Sequence, residues 1–124
     1  MGRSVVADKS FGFAVRVVRM YKYLCDDKRE FVLSKQFLRS GTSIGANIRE
    51  GLQAQGKKDF LSKINIALKE ANETVYWIEL LYATGYINVK QKTSIFNDCN
   101  EIISMLVAIV KTTKKNLMEL KNDK

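Results

Sequence analysis

Histidine is absent from all 124 residues. That removes the Ser–His and Cys–His nucleophile pairs and the histidine-containing zinc sites. Proline is absent too, so no position is barred from helix on that ground. The two cysteines, Cys25 and Cys99, form no C-x-x-C pair. Each falls on an apolar helical face, as small buried hydrophobes do in a reducing compartment. No glycine-rich phosphate loop runs into Lys-Ser or Lys-Thr, and no Ser/Gly-rich linker divides the chain. The longest apolar run, Ile102 to Val110, is broken by Ser104 and is short for a membrane span. The first residues lack the apolar core of a signal peptide. These absences lead us to expect a cytoplasmic protein with no catalytic residues, no metal and no cofactor.

What is present is helical periodicity. Apolar residues are 46% of the chain, enough for a core, and the length fits one domain. Four segments repeat apolar positions at three and four, and none alternates. The first spans about Ser10 to Cys25, with Ala14, Val17, Val18, Tyr21 and Leu24 on one side. Asp27 reads as an N-cap with Glu30 completing a capping box. A second helix from Lys28 to about Ala54 would then bury Phe31, Leu38, Ile44, Ile48 and Leu52. Inside it lie Gly41 and Gly45, each costing roughly 1 kcal/mol relative to alanine. Close approach of a neighbouring helix would offset that, and a helix break is the alternative. Asn47 beside them reads as a half-buried hydrogen-bonding residue.

The third helix runs from about Lys57 to Thr84, with Phe60, Ile64, Ala67, Ala71, Thr74, Ile78 and Leu81 inward and Gly85 as C-cap. Asn88 and Gln91 open the fourth, whose core positions read as Phe96, Cys99, Ile103, Leu106, Val110, Thr113, Leu117 and Leu120. Short connections make sequential helices antiparallel. The expected fold is an all-α, up-and-down antiparallel four-helix bundle occupying residues 1–124 as a single domain, frayed at 1–9 and 121–124.

Two features remain after the core is assigned. The first is charge: 21 Lys and Arg against 13 Asp and Glu give +8. Residues 57–86 are neutral, and the excess lies in the other three helical segments. Basic helix faces can track phosphates without reading sequence. The candidates for nucleic-acid contact are Arg16 and Arg19, Lys35 and Arg39, and Lys57 and Lys58, with further lysines at 111, 114 and 115. Glu70, Glu73 and Glu79, interleaved with Lys63 and Lys69, read as a salt-bridged helix face. The second feature is surplus apolar surface: Ile95, Ile102 and Ile109 on the fourth helix, and Ile66, Tyr76 and Trp77 on the third. Surplus of this kind points to self-association, with Ile95, Ile102, Ile109, Tyr76 and Trp77 as the oligomer interface.

Ser40-Gly-Thr-Ser-Ile-Gly-Ala-Asn-Ile-Arg-Glu-Gly51 is followed by Ala54-Gln55, Lys58-Asp59-Phe60 and Ala67-Leu-Lys-Glu-Ala71. With Phe13-Ala-Val-Arg-Val-Val18 and Thr84-Gly-Tyr-Ile87, this combination resembles the small four-helix-bundle proteins encoded in intervening sequences of bacterial 23S ribosomal RNA genes. The resemblance runs from about Ser10 to Lys115. It implies a homopentamer with a central channel. Accessory proteins of diversity-generating retroelements are a related branch that binds nucleic acid and a reverse transcriptase, which makes RNA or DNA, and in that branch a reverse transcriptase, the implied partners. The family pattern often has alanine where this chain has Arg49, so no role is carried to that position. Two functional readings stay open: a basic, non-enzymatic homo-oligomer that contacts RNA or DNA through the phosphate backbone, and a protein-interaction scaffold whose charge is incidental.

Overall fold

The computed structural model describes residues 4–122. Four helices follow one another: α1 (Val5–Asp26), α2 (Leu33–Leu52), α3 (Lys57–Ala83) and α4 (Val89–Asn122). Among the described residues there is no strand. Each helix packs on the next, and α4 returns to α1 along a sparser seam, closing a four-helix bundle around one core. Phe13, Val17, Leu24, Phe37, Ile44, Ile48, Ile64, Ile78, Leu81 and Leu106 fill that core.

α1 starts earlier than its apolar spacing suggests. Ser4 caps it, its side chain accepting from the Ala7 N–H, so Val5–Lys9 are helical. Lys121 and Asn122 are still within α4, and residues 1–3, 123 and 124 lie outside the described range.

The expected capping box at Asp27 does not form. Asp27 ends α1, its N–H bonding Tyr23 O. Arg29 then takes a positive φ of 55°, which reverses the chain. Glu30 sits inside the reversal and caps α2 by itself: its carboxylate accepts from the N–H groups of Val32, Leu33 and Ser34 at 3.0, 3.0 and 2.6 Å. Burial by itself would raise its pKa, but the bonds from Leu33, Ser34 and Val32 outweigh burial and hold the carboxyl below its ordinary 4.5. α2 therefore opens at Leu33, and Phe31, expected inside, stands in the turn 46% exposed.

The two glycines of α2 do meet another helix. A Cβ on Gly41 would lie 2.8 Å from both methyls of the buried Val17, and one on Gly45 would lie 3.2 Å from Ser10 Oγ. α1 thus rests on the glycine side of α2, and α2 runs unbroken through both. Asn47 is half-buried and donates to Ser43 O within its own helix.

In α4 the buried stripe is Ile95, Cys99, Ile102, Leu106, Val110 and Thr113. Phe96 and Ile103 flank it half-buried, and Leu120 is 51% exposed. This corrects the assignment of Ile95 and Ile102 to an oligomer interface: both are fully buried within one chain and have no surface left for a second. Leu52, expected inside, is half-exposed at the end of α2. By length and composition α4 could cross a membrane, but its most apolar stripe fills the bundle core.

Candidate nucleic-acid interface

The bundle sorts its charge along its length. Midway, two arginines are matched. Arg16 of α1 reaches α4, where it bonds Asp98 Oδ2 at 2.5 Å and Ser94 Oγ at 2.7 Å. Arg39 of α2 reaches α3, 2.6 Å from Glu73 Oε2 and 3.6 Å from Glu70 Oε2. Trp77 Nε1 donates to the same Glu73 oxygen at 3.2 Å. The other oxygen of Glu70 is buried with no hydrogen-bond partner, so the neighbouring guanidinium is its only described electrostatic compensation. Lys9–Glu101 and Lys63–Glu50 add one pair to each of these two seams. Arg16 and Arg39, proposed from the sequence as phosphate contacts, are thus each paired with carboxylates of a neighbouring helix.

Arg19 shares a shallow groove of about 280 Å³ with Arg16, Met20, Tyr23, Gln91 and Ile95. Lys35 is exposed at the start of α2. Neither makes an ion pair among the described residues. They lie toward the end of the bundle that holds the α1–α2 turn, apart from Lys57 and Lys58.

The opposite end is different. Cys99 Sγ donates to Ala71 O across α3 and α4 at 3.5 Å, which fixes the register of that pair. With antiparallel helices, Lys57 then comes level with Thr113. Lys57 and Lys58 of α3 thus gather with Lys111, Lys114 and Lys115 of α4. All five are exposed, and none makes an ion pair among the described residues. Gly56 opens α3 with no side-chain cap, so among the described residues no side chain accepts from the first-turn N–H groups beside these lysines, and Asp59 stands exposed in the same turn. Past Thr113, α4 projects nine residues, roughly 13 Å, carrying Lys114, Lys115 and Lys121 with it. Lys57 and Lys58 were legible candidates. The three α4 lysines were visible in the sequence, but only the register shows that they join them.

The chain matches the model of the 23S rRNA-intervening sequence protein over residues 3–108. It belongs to that family. A solved structure similar to this chain is a protein with unknown function of the S23 ribosomal protein family from Bacteroides thetaiotaomicron VPI-5482, at 1.70 Å resolution. It shares 62% identity with a TM-score of 0.85, over 86% of this chain and 99% of that one. No curated protein matches. The family model stops at residue 108, so Lys111, Lys114 and Lys115 lie past the matched part, whereas Lys57 and Lys58 lie inside it.

The remaining apolar candidates divide. Tyr76 is 57% exposed, and its ring meets the half-buried Trp77 edge-on at 5.0 Å. Ile109 is half-buried against the core. Two seams of the bundle have none of the ion pairs just described. Along α1/α2 a groove of about 490 Å³ is lined by Ala7, Phe11, Ala14, Gly45, Ala46 and Arg49, with the Arg49 guanidinium over the Phe11 ring at 5.6 Å. Along α3/α4, Lys92 lies over both Tyr82 and Phe96. One heptad steps back from Tyr82 to Val75 and Leu68, and forward from Phe96 to Ile103. These four residues other than Tyr82 are half-buried, so the α3/α4 seam presents an apolar strip.

Reduced reactivity is written into Cys99: burial pushes its thiol up to about 12, with Asp98 adding to the rise. Among the described residues no three His, Cys, Asp or Glu side chains converge to hold a metal.

Proposed function

We propose that this protein is a non-enzymatic homo-oligomer that binds RNA or DNA through the phosphate backbone, without reading sequence. One observation carries the reading: the mid-bundle arginines pair with Asp98, Glu70 and Glu73, while five exposed lysines toward one end make no ion pair among the described residues. Such lysines beside helix N–H groups without a side-chain cap suit phosphate. Each chain brings a formal +8, and joining copies multiplies weak contacts through effective concentration.

Self-association is supported by the two seams without ion pairs. The α1/α2 groove and the α3/α4 strip differ and lie on opposite sides, so copies would join head to tail into a ring. The family resemblance suggests five. The free thiols at Cys25 and Cys99 suit a cytoplasmic setting.

The test is a salt series of RNA and DNA binding, with light scattering to set the mass of the assembly. Affinity should fall steeply with salt and change little with sequence. Converting Lys57, Lys58, Lys114 and Lys115 to glutamine should weaken binding and flatten the salt dependence, with helicity unchanged. If the unaltered protein binds neither polymer at low salt, the charge is incidental and a protein-interaction scaffold is the better description. A mass near 14.2 kDa would remove the oligomer.

A further inference from the structure

α3 is neutral as a segment, and its four acidic residues are unevenly placed: Asp59 in the first turn and Glu79 three residues past Tyr76 are exposed. Glu70 and Glu73 turn toward α2 and are held by Arg39. On the side directly away from the core, Lys58, Ser62, Asn65, Lys69, Asn72 and Tyr76 follow at alternating spacings of four and three. All six are exposed, none is acidic, and none makes a described hydrogen bond or ion pair through its side chain. The row starts in the lysine cluster and runs roughly 27 Å, at 1.5 Å per residue. Its first part is a furrow of about 500 Å³ between Lys58, Leu61, Ser62, Asn65, Ile66 and Lys69. Its far end is an aromatic ring 57% exposed and steadied by Trp77, which is itself tied to Glu73.

We infer that this outer row of α3 is a track for one unpaired nucleic-acid strand, entering over Lys58 and ending with a base on Tyr76. The inference rests on the phosphate-binding reading above and narrows it. Cations with amide and hydroxyl donors suit a sugar–phosphate chain. The row is a single helix wide, so it follows one strand rather than the two of a duplex. An exposed ring at its end has no use for stacked, paired bases, whereas an unpaired base has a free face to offer it.

Fluorescence anisotropy with a short labelled strand of mixed sequence, and with the same strand annealed to its complement, tests this for both RNA and DNA. The single strand should bind more tightly than the duplex. Tyr76→Ala should weaken single-strand binding on the order of tenfold or more, leave the salt slope and duplex binding unchanged, and be matched by no loss in Tyr76→Phe. Lys69→Gln should lower the single-strand salt slope by about 0.7. Equal or tighter duplex binding overturns the track, as does single-strand affinity unmoved by both Tyr76→Ala and Lys69→Gln. In either case, continued dependence on Lys57, Lys58, Lys114 and Lys115 would leave the phosphate-binding reading standing. Absence of all binding in the unaltered protein removes both. If Tyr76→Ala lowers the mass seen by light scattering, Tyr76 belongs between copies and the track is overturned.

Discussion

Arg39 and Lys58 carry the same charge on the same small bundle, yet they stand in opposite situations. Arg39 bridges α2 to two carboxylates of α3, and the second oxygen of one of them, Glu70, is buried without a hydrogen-bond partner. Lys58 stands in solvent with other lysines for company. In the middle of the molecule, charge holds helices in place. The five lysines at the far end make no ion pair among the described residues. Net charge alone could not separate the two, because both cations count equally toward +8. Position along the bundle separates them, and substitutions should do the same.

The largest effect is expected where the middle is closest packed. Gly41→Leu drives a side chain into Val17, whose methyls already lie 2.8 Å from where a Cβ would stand. Overpacking should cost about 1–3 kcal/mol or more, read as a lowered midpoint in urea. An unchanged midpoint would mean that α1 and α2 are not in contact here.

Arg39→Gln comes next, at about 1–3 kcal/mol, because it strips compensation from the buried Glu70 oxygen. Arg16→Gln should cost less than about 1 kcal/mol, since the Arg16–Asp98 pair is more than a third exposed on both sides. Equal losses in the two variants would show that burial at Glu70 contributes nothing.

Glu30 tests the turn. Its folded-state pKa is depressed, so its contribution is complete above the unfolded value and drains away as pH falls through the lower, folded one. Glu30→Gln should therefore cost about 1 kcal/mol near neutrality. The gap between it and the unaltered protein should narrow as pH drops below 4.5. A gap independent of pH would remove the carboxylate's charge from the explanation.

Smallest of all should be the stability effect of changing Lys57, Lys58, Lys114 and Lys115 to glutamine, within about 0.5 kcal/mol of zero. A large loss would make that end a structural brace like the middle and erase the contrast.

Number, order and kind of helices were legible because they depend on local spacing. So was the contact at Gly41 and Gly45, since two glycines in a continuing apolar helix need a neighbour to explain them. The face of α4 was not. Ile95 and Ile102 form one apolar line and Phe96 and Ile103 another beside it, so periodicity allowed either to point inward. The fold chose by register against α3, where Cys99 meets Ala71, and that is long-range information. Glu30 was read as the end of a capping box when it caps alone, because a positive φ at Arg29 has no signature in a non-glycine residue. The roles of Arg16 and Arg39 were hidden for the same reason as the α4 face: their carboxylates lie on other helices, 82 and 34 residues away in sequence.

The meeting of Gly41 with Val17 also bears on descent. A methyl at 41 has no room while both branches of Val17 are present, but shortening residue 17 to alanine would clear the two atoms it strikes. Val17→Ala should thus soften the penalty of Gly41→Ala, though each alone weakens the bundle. The two positions share one allotment of space, so in a diverging lineage neither is free to drift without the other. A relative that has gained bulk at 41 should be found to have given it up at 17.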